Sequence, residues 1–493
     1  MRFGPKRGHP VFLFENFFKD FLPLIIVLII SLIRGDFSLL LNNAFVAVFV
    51  LAGPFFRLVT YLTTRYSVDE TTLLVTSGWL NQKRQEVPLS TITTVDMTEG
   101  ILHQLTGSVK LNIDNASNVS AVNTKLAMTF SKRDALALRD LLLAGKNGMD
   151  GANIVSEGLE ADAARGETVY VPAGHLLLMG ALRSKGAFFF QFIAFAIAGV
   201  TFLTDLFTEA GERTEEAADS LLGWLNAHSL VGMLLLLTVF LLLACLCGSL
   251  GSLIKYYGFR LLDGGDAIRI EYGLLQKKSF TIHKSRISGF SYEQSLFMRF
   301  FGFGLLHCLA IGYGAVGADE ETTEEPLLFP LLKSADLQET MARILPEMAD
   351  LPDYERCGKG ALRYFFYRPA FVFSLLLFAG CVVLTVLHGH RFLVFGILLL
   401  LYGLGSILFQ HRNAALGANE TVISVAQGGY KKETAFVKTR HVESVSETAS
   451  LLKRKRGIAS VTIQFIAPVG SQEATAYNLP YSCFEKVRAL LLY

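Results

Sequence analysis

Lys453, Arg454, Lys455 and Arg456 form an unbroken basic run near the end of the chain. Four adjacent cations attract anions, and beside a membrane each gains about 1 kcal/mol from anionic lipid. At the aligned place in two related segments, set out below, stand His103-Gln104-Leu105-Thr106 and Met298-Arg299-Phe300-Phe301. Lys431 and Lys432 join the basic run if the strands that carry them fold side by side. The expected partner is anionic membrane lipid or an acidic surface; the competing reading is a solvated hairpin tip. Phe297, Phe300, Phe301 and Phe303 offer a different chemistry, dipping into the membrane interface, against the plainer reading of core or a contact between modules.

Other groups carry less. Gly312-Tyr313-Gly314-Ala315-Val316-Gly317 has dinucleotide spacing, but the acidic Asp319, Glu320, Glu321, Glu324 and Glu325 follow where a helix N-terminus is needed, and they repel a pyrophosphate. His388 and His390 are two ligands with no Cys, Asp or Glu beside them, a poor metal site. Cys245 and Cys247 lie in an apolar run, where thiols act as small packing groups. The other four cysteines are scattered, unlike a disulfide framework or a zinc site. No His-Glu-x-x-His, Gly-x-Ser-x-Gly or phosphate-loop lysine pattern occurs. Asn115 and Asn419 sit in glycosylation sequons but on the expected cytoplasmic side. The expectation is a chain with no catalytic residue, metal or cofactor, and not an enzyme.

The elements that must position these residues are apolar. Of 493 residues 52% are hydrophobic and 18% charged, with mean hydropathy +0.42, well under the charge of about 25% usual for soluble domains. The net charge of +2 gives no footprint for nucleic acid. Apolar runs come in three pairs: 21–33 with 44–59, 187–206 with 230–254, and 370–387 with 392–409. A bilayer core takes about 20 apolar residues, so six spans are expected. Arg2, Lys6, Arg7, Arg57, Arg65, Arg183, Lys185, Lys255, Arg260, Arg363, Arg368 and Arg412 flank one side of these runs, while the 208–229 loop is acidic. Short-loop charge then puts both termini and the large segments in the cytoplasm, with the first run retained rather than cleaved as a signal peptide.

After each pair comes a segment of strand signals, and the three overlay at constant offsets of 195 and 350 residues. Gly78 matches Gly273 and Gly428, and Gly107 matches Gly302 and Gly457. Val87, Ile92, Val95 and Ile113 find apolar partners in both other copies. Alternating runs at 71–76, 267–272, 109–113 and 461–465 read as strands. Gly78, Gly273 and Gly428 follow strands where a turn needs positive φ. Patterns at 131–144, 334–348 and 482–492 read as a closing helix, with Ser131 as N-cap of the first.

The segments Gly78-Trp79-Leu80 with Val87-Pro88-Leu89-Ser90-Thr91-Ile92, Gly273-Leu274-Leu275 with Ile282-His283-Lys284-Ser285-Arg286-Ile287, and Gly428-Gly429-Tyr430 with Val437-Lys438-Thr439-Arg440-His441-Val442 carry a resemblance. The stretches from Thr98 to Gly107, Gln294 to Gly302 and Thr448 to Gly457 extend it. The chain resembles the YdbT-type bacterial membrane proteins, whose soluble modules are bacterial pleckstrin-homology-like domains. The third copy departs most from the pattern, and the proline stands only in the first. The resemblance implies a fold and a location, not a reaction.

The expected fold is thus a multi-pass α-helical membrane protein with three repeated cytoplasmic β-rich pleckstrin-homology-like modules, each closed by a C-terminal helix. The expected order is hairpin 1–65, module 66–145, linker 146–185, hairpin 186–258, module 259–350, hairpin 351–413 and module 414–493. The expected role is non-enzymatic: scaffolding or oligomerisation at the cytoplasmic membrane face, in cell-envelope protection. The resemblance adds the partners, namely membrane lipids, a smaller related pleckstrin-homology-like membrane protein, and the chain itself. The competing function is a passive or lipid-moving transporter or export component, since runs 230–254, 370–387 and 392–409 hold no charged residue for ion coupling.

Overall fold

The structure, a computed structural model, describes residues 3–15, 55–69, 71–79, 82–89, 92–115, 126–147, 167–183, 229–310, 326–388, 391–466 and 471–491. Contacts divide the chain into two compact units: Met1–Gly264 with Arg269–Phe280, and Gly265–Ile268 with Thr281–Tyr493. The second sequence repeat is split by that boundary.

The strands recur at the sequence offsets. The first repeat holds β2 (Arg65–Val68), β3 (Thr72–Ser77), β4 (Lys83–Pro88) and β5 (Ile92–Glu99). A short helix α1 (Ile101–Thr106), β6 (Ser108–Asn115), β7 (Leu126–Ser131) and helix α2 (Lys132–Asn147) complete it. The second repeats this as β9 (Arg260–Asp263), β10 (Ala267–Tyr272), β11 (Lys277–His283) and β12 (Ile287–Gln294). It continues with α5 (Leu296–Phe300), β13 (Phe303–Ala310), β14 (Leu327–Lys333) and α6 (Leu337–Ile344). The third runs β16 (Ala415–Ala418), β17 (Val422–Gln427), β18 (Lys432–Lys438) and β19 (Val442–Thr448), then α9 (Leu451–Arg454), β20 (Ile458–Ile466), β21 (Ser471–Pro480) and α10 (Tyr481–Leu491).

A further strand precedes each set. β1 (Phe3–Lys6) pairs with β2, β8 (Glu167–Tyr170) with β9, and β15 (Glu355–Arg356) with β16. The repeat therefore begins upstream of the apolar runs, and the 146–185 segment holds β8 and helix α3 (Ala173–Arg183).

Partnering crosses the repeats. The strand orders are β1-β2-β3-β4, β7-β6-β5-β11-β10-β9-β8, β14-β13-β12-β18-β17-β16-β15 and β19-β20-β21. Within a repeat the fourth strand does not pair with the third. Instead β5 takes β11 of the next repeat, with Glu99 opposite Lys277, and β12 takes β18, with Gln294 opposite Lys432. These two residue pairs are equivalent under the repeat offsets, so both junctions keep one register.

The cores close within a repeat all the same. In the first, Val68, Leu73 and Val87 from one sheet meet Val109, Leu111, Met128 and Phe130 from the next, and Leu138 and Leu142 of α2 seal the cluster. Ser131 Oγ accepts the Asp134 N–H at 3.3 Å, capping α2. In the third, Ile423, Val425 and Val437 meet Val461, Ile463, Ala476 and Leu479, sealed by Cys483 and Val487 of α10. Each fully buried Leu or Ile contributes about 2 kcal/mol.

The expected multi-pass architecture is corrected. The chain is β-rich with several antiparallel sheets, and among the described residues no helix is long and apolar enough to cross a membrane. The runs at 21–33 and 187–206 and most of 44–59 lie outside the described residues. The others fall in α4 (Ser229–Tyr256), α7 (Pro369–His388) and α8 (Arg391–Asn413). The physical reason is that hydropathy counts apolar side chains without asking what they touch, and these helices spend part of theirs on each other. Gly180 of α3 faces the Gly248 carbonyl of α4 so closely that a Cβ would collide with it. Gly396 of α8 likewise sits against Cys381 of α7, and Gly403 against Ser374.

Candidate anion-binding cleft

The basic run lies on α9 and the turn after it. Lys453 is half-buried, and Arg454, Lys455 and Arg456 are exposed. Gly457 ends the turn at φ 64°, as Gly107 does at 63° and Gly302 at 74°. Gly78, Gly273 and Gly428 follow β3, β10 and β17 at φ 106°, 117° and 102°. All six glycines thus sit in the left-handed region where a Cβ is costly.

The same helical turn exposes large apolar side chains in every repeat. Leu105 is 79% exposed, Phe300 85% and Leu451 82%. Phe297 and Phe301 are exposed as well, and Phe303 is half-buried. In the third repeat, exposed leucines and exposed cations stand side by side.

Lys431 and Lys432 lie elsewhere. Lys431 Nζ meets Glu293 Oε2 at 3.0 Å, across the β12–β18 junction. Burial, with Arg299 and Arg356 nearby, holds the Lys432 amine below its ordinary range. β18 pairs with β12 and β17 rather than with β19 or β20, so the strands do not bring these lysines beside the basic run.

Lys453 instead reaches a cleft of about 630 Å³ that includes Tyr364, Tyr367, Arg368, Ser450, Tyr477 and Asn478 in its wall. A 3-10 turn over Lys359–Phe365 and the following bend, closed by the Arg368 N–H on the Phe365 carbonyl, bring Arg368 to it. The guanidinium lies 3.9 Å from the Tyr477 ring centroid, and its Nη1 donates to Gln410 Oε1 at 2.5 Å. Gln410 in turn donates to Ser406 Oγ at 3.0 Å, so the arginine is held from behind. Tyr364 donates its hydroxyl to the Leu452 carbonyl at 3.2 Å, and Lys453 Nζ stands 5.7 Å from the Tyr364 ring. Burial, and then the charge of Arg368, pushes the Lys453 amine down. No Asp or Glu is among the described residues of the wall.

Asn478 completes it. Its φ of 57° makes it a non-glycine residue in the left-handed region. Its N–H donates to Ser460 Oγ at 3.3 Å. The residue is 2% exposed, and its Oδ1 has no partner among the described residues. Such an atom calls for an explanation, because leaving a buried acceptor unpaired costs about 1–3 kcal/mol.

Sequence reasoning reached Lys453 and missed Arg368, Tyr477 and Asn478. The aromatic and basic cluster Tyr364-Phe365-Phe366-Tyr367-Arg368 is the available signal. The other candidates are plainer. Among the described residues no cluster of His, Cys, Asp and Glu could hold a metal. The glycines from 312 to 317 and the acidic loop after them lie outside the described residues, as does His390. The six cysteines are free. Asn419 Oδ1 accepts the Val422 and Thr421 N–H groups, a turn-forming role.

Residues 22–146 and 216–348 match the bacterial PH domain family. The matched regions cover the first two repeats and leave the third outside. The chain is similar to the UPF0699 transmembrane protein YdbT of Bacillus subtilis (strain 168), at 20% identity over 445 residues, covering 85% of each chain.

Proposed function

Because the chain belongs to the bacterial PH domain family, we propose that it is a non-enzymatic, membrane-associated scaffold whose PH-like repeats are tied edge to edge. The observation that carries this reading is the shared register of the β5–β11 and β12–β18 junctions. A strand edge that accepts the next repeat twice in the same way is an assembly device. β4 and β19 are the equivalents of the joined strands at the two ends of the series, and each closes its sheet among the described residues. They are where a further PH-like module, from a second copy or a smaller relative, adds its strand.

Membrane association is supported by the exposed apolar turns of all three repeats and by α7, where Phe373 and Leu376 are 63% and 65% exposed. Contiguous apolar surface of this kind marks an interaction face, and lipid is the partner that the name of the relative points to. The test is to fractionate cells, extract the full chain in mild detergent and measure its native mass. The expected result is a membrane-bound protein that leaves detergent as an oligomer or with a second PH-like protein. A protein found in the aqueous fraction, or a monomer with no companion, overturns the reading.

A further inference from the structure

We propose that the cleft beside α7 and α9 binds the headgroup of an anionic phospholipid through its phosphate diester. The inference rests on the membrane association argued above and names the lipid that the third repeat recognises.

Two features of the cleft specify that chemistry. First, Arg368 and Lys453 line it, and no carboxylate is among the described residues of its wall. The hydrogen bond that Arg368 makes behind the cleft goes to neutral Gln410. Two cations in one recess repel each other unless an anion sits between them, and a guanidinium with a free edge suits phosphate oxygens. The stack on Tyr477 and the Gln410 bond hold that guanidinium in place before anything binds, which lowers the ordering cost of binding. Second, uncharged hydroxyl-bearing residues, among them Thr448 and Ser450, share the wall with apolar surface. The hydroxyls donate to phosphate oxygens without adding charge.

The source of the headgroup follows from what borders the cleft. Pro369, the first residue of α7, is part of the wall. Val372, Phe373 and Leu376 are exposed just beyond it, and Leu452 is 70% exposed beside Lys453. A diester with acyl chains places those chains along this apolar surface, whereas a free sugar phosphate leaves it bare. The equivalents of Lys453 are Met298 and His103, so the site belongs to the third repeat alone.

The experiment uses the full chain in mild detergent, titrated by native mass spectrometry. The probes are short-chain phosphatidylglycerol and phosphatidylcholine, together with free glycerol phosphate. Phosphatidylglycerol is expected to bind tightest. Phosphatidylcholine and glycerol phosphate are expected to trail it. Lys453→Gln, on a half-exposed side chain that leaves the fold intact, and Arg368→Gln are each expected to weaken phosphatidylglycerol by about tenfold or more, as for loss of a charge-assisted contact. Equal binding of phosphatidylcholine, or affinity unchanged by Lys453→Gln, overturns the proposal. Glycerol phosphate binding as tightly as the lipid overturns the lipid source. A chain that stays in the membrane fraction but shows no headgroup preference sinks this inference and leaves the scaffold reading standing.

Discussion

Glu15 and His103, 88 residues apart in the chain, meet at 3.3 Å with both side chains nine-tenths buried. Lys110 approaches the other carboxylate oxygen at 3.4 Å, and the Thr129 hydroxyl donates to the first. The network ties the segment after β1 to α1, β6 and β7. Burial pushes the Glu15 carboxyl up, but His103, Lys110 and Thr129 together pull harder and leave it below the ordinary 4.5. The same carboxylate, after burial itself, helps to push the Tyr66 hydroxyl up to about 12.

Acid should therefore weaken the first repeat in a defined window. A carboxyl whose folded pKa is depressed contributes stability that is present above its unfolded value and lost as pH falls through the folded one. Thermal melts from pH 7 downward should lose stability as pH drops below about 4.5, the unfolded reference for a glutamate. Glu15→Gln should show a shallower acid dependence, at a cost near neutrality of about 2 kcal/mol because Lys110 and His103 lose their partner. Parallel pH profiles for the two proteins would remove Glu15 from this role.

The two sets of turn glycines should differ in cost. At Gly273, φ is 117° and a Cβ would collide with the Gln276 carbonyl. At Gly107, φ is 63° and nothing stands within 4 Å. Gly107→Ala should cost about 1 kcal/mol of backbone strain, and Gly107→Asn less. Gly273→Ala should cost more than either. Denaturant titrations of the three variants check the order.

The β12–β18 junction should fail at Gly289, where a Cβ would collide with the Phe436 carbonyl across the strands. Gly289→Val should destabilise the second unit by more than about 2 kcal/mol, in the range of backbone overpacking. Hydrogen exchange should rise first at the β18 amides that pair with β12. Protection unchanged in β18 would show that the junction does not depend on this approach.

The exposed turns should govern membrane partition without supporting the fold. Replacing Leu105, Phe300 and Leu451 by Gln should lower partition into vesicles by tenfold or more, since inserting each side chain is worth up to about 2 kcal/mol. The melting temperature should stay within about 2 °C, as for surface changes away from packed features. A partition coefficient that does not move would assign these turns to protein contacts.

The basic run should act through charge alone. Replacing Lys453, Arg454, Lys455 and Arg456 by Gln in the full chain should flatten the salt dependence of binding to anionic vesicles, because exposed charges are screened beyond about 8 Å at physiological ionic strength. Replacing only Arg454, Lys455 and Arg456 should weaken vesicle binding yet keep headgroup selectivity, which belongs to Lys453 inside the cleft. A salt slope that survives the fourfold change would leave these residues as a solvated tip.

Much of the local structure was legible before the fold. The offsets of 195 and 350 residues that align Gly78, Gly273 and Gly428 also align β3, β10 and β17. Alternation, turn glycines and helix caps act over a few residues, so a single segment states them. Apolar runs were read less well. Whether Leu or Phe on a helix stays exposed, as Phe373 of α7 does, or meets a neighbour, as Ile407 of α8 does in a cluster with Phe365 and Ala414, is not written in its hydropathy.

What the chain determined by itself is the content of each repeat: its strands, its positive-φ turns, its short helical tip and its apolar inventory. Tertiary structure decided the partners. The backbone donors and acceptors of a strand edge are the same for every residue type, so nothing in β18 names β12, rather than β19 of its own repeat, as the strand it joins. The cleft follows the same logic. Arg368, Lys453 and Asn478 come from three separate segments, and no spacing links them. Only the packing of β20 and β21 against the turn before α7 puts two cations around one space.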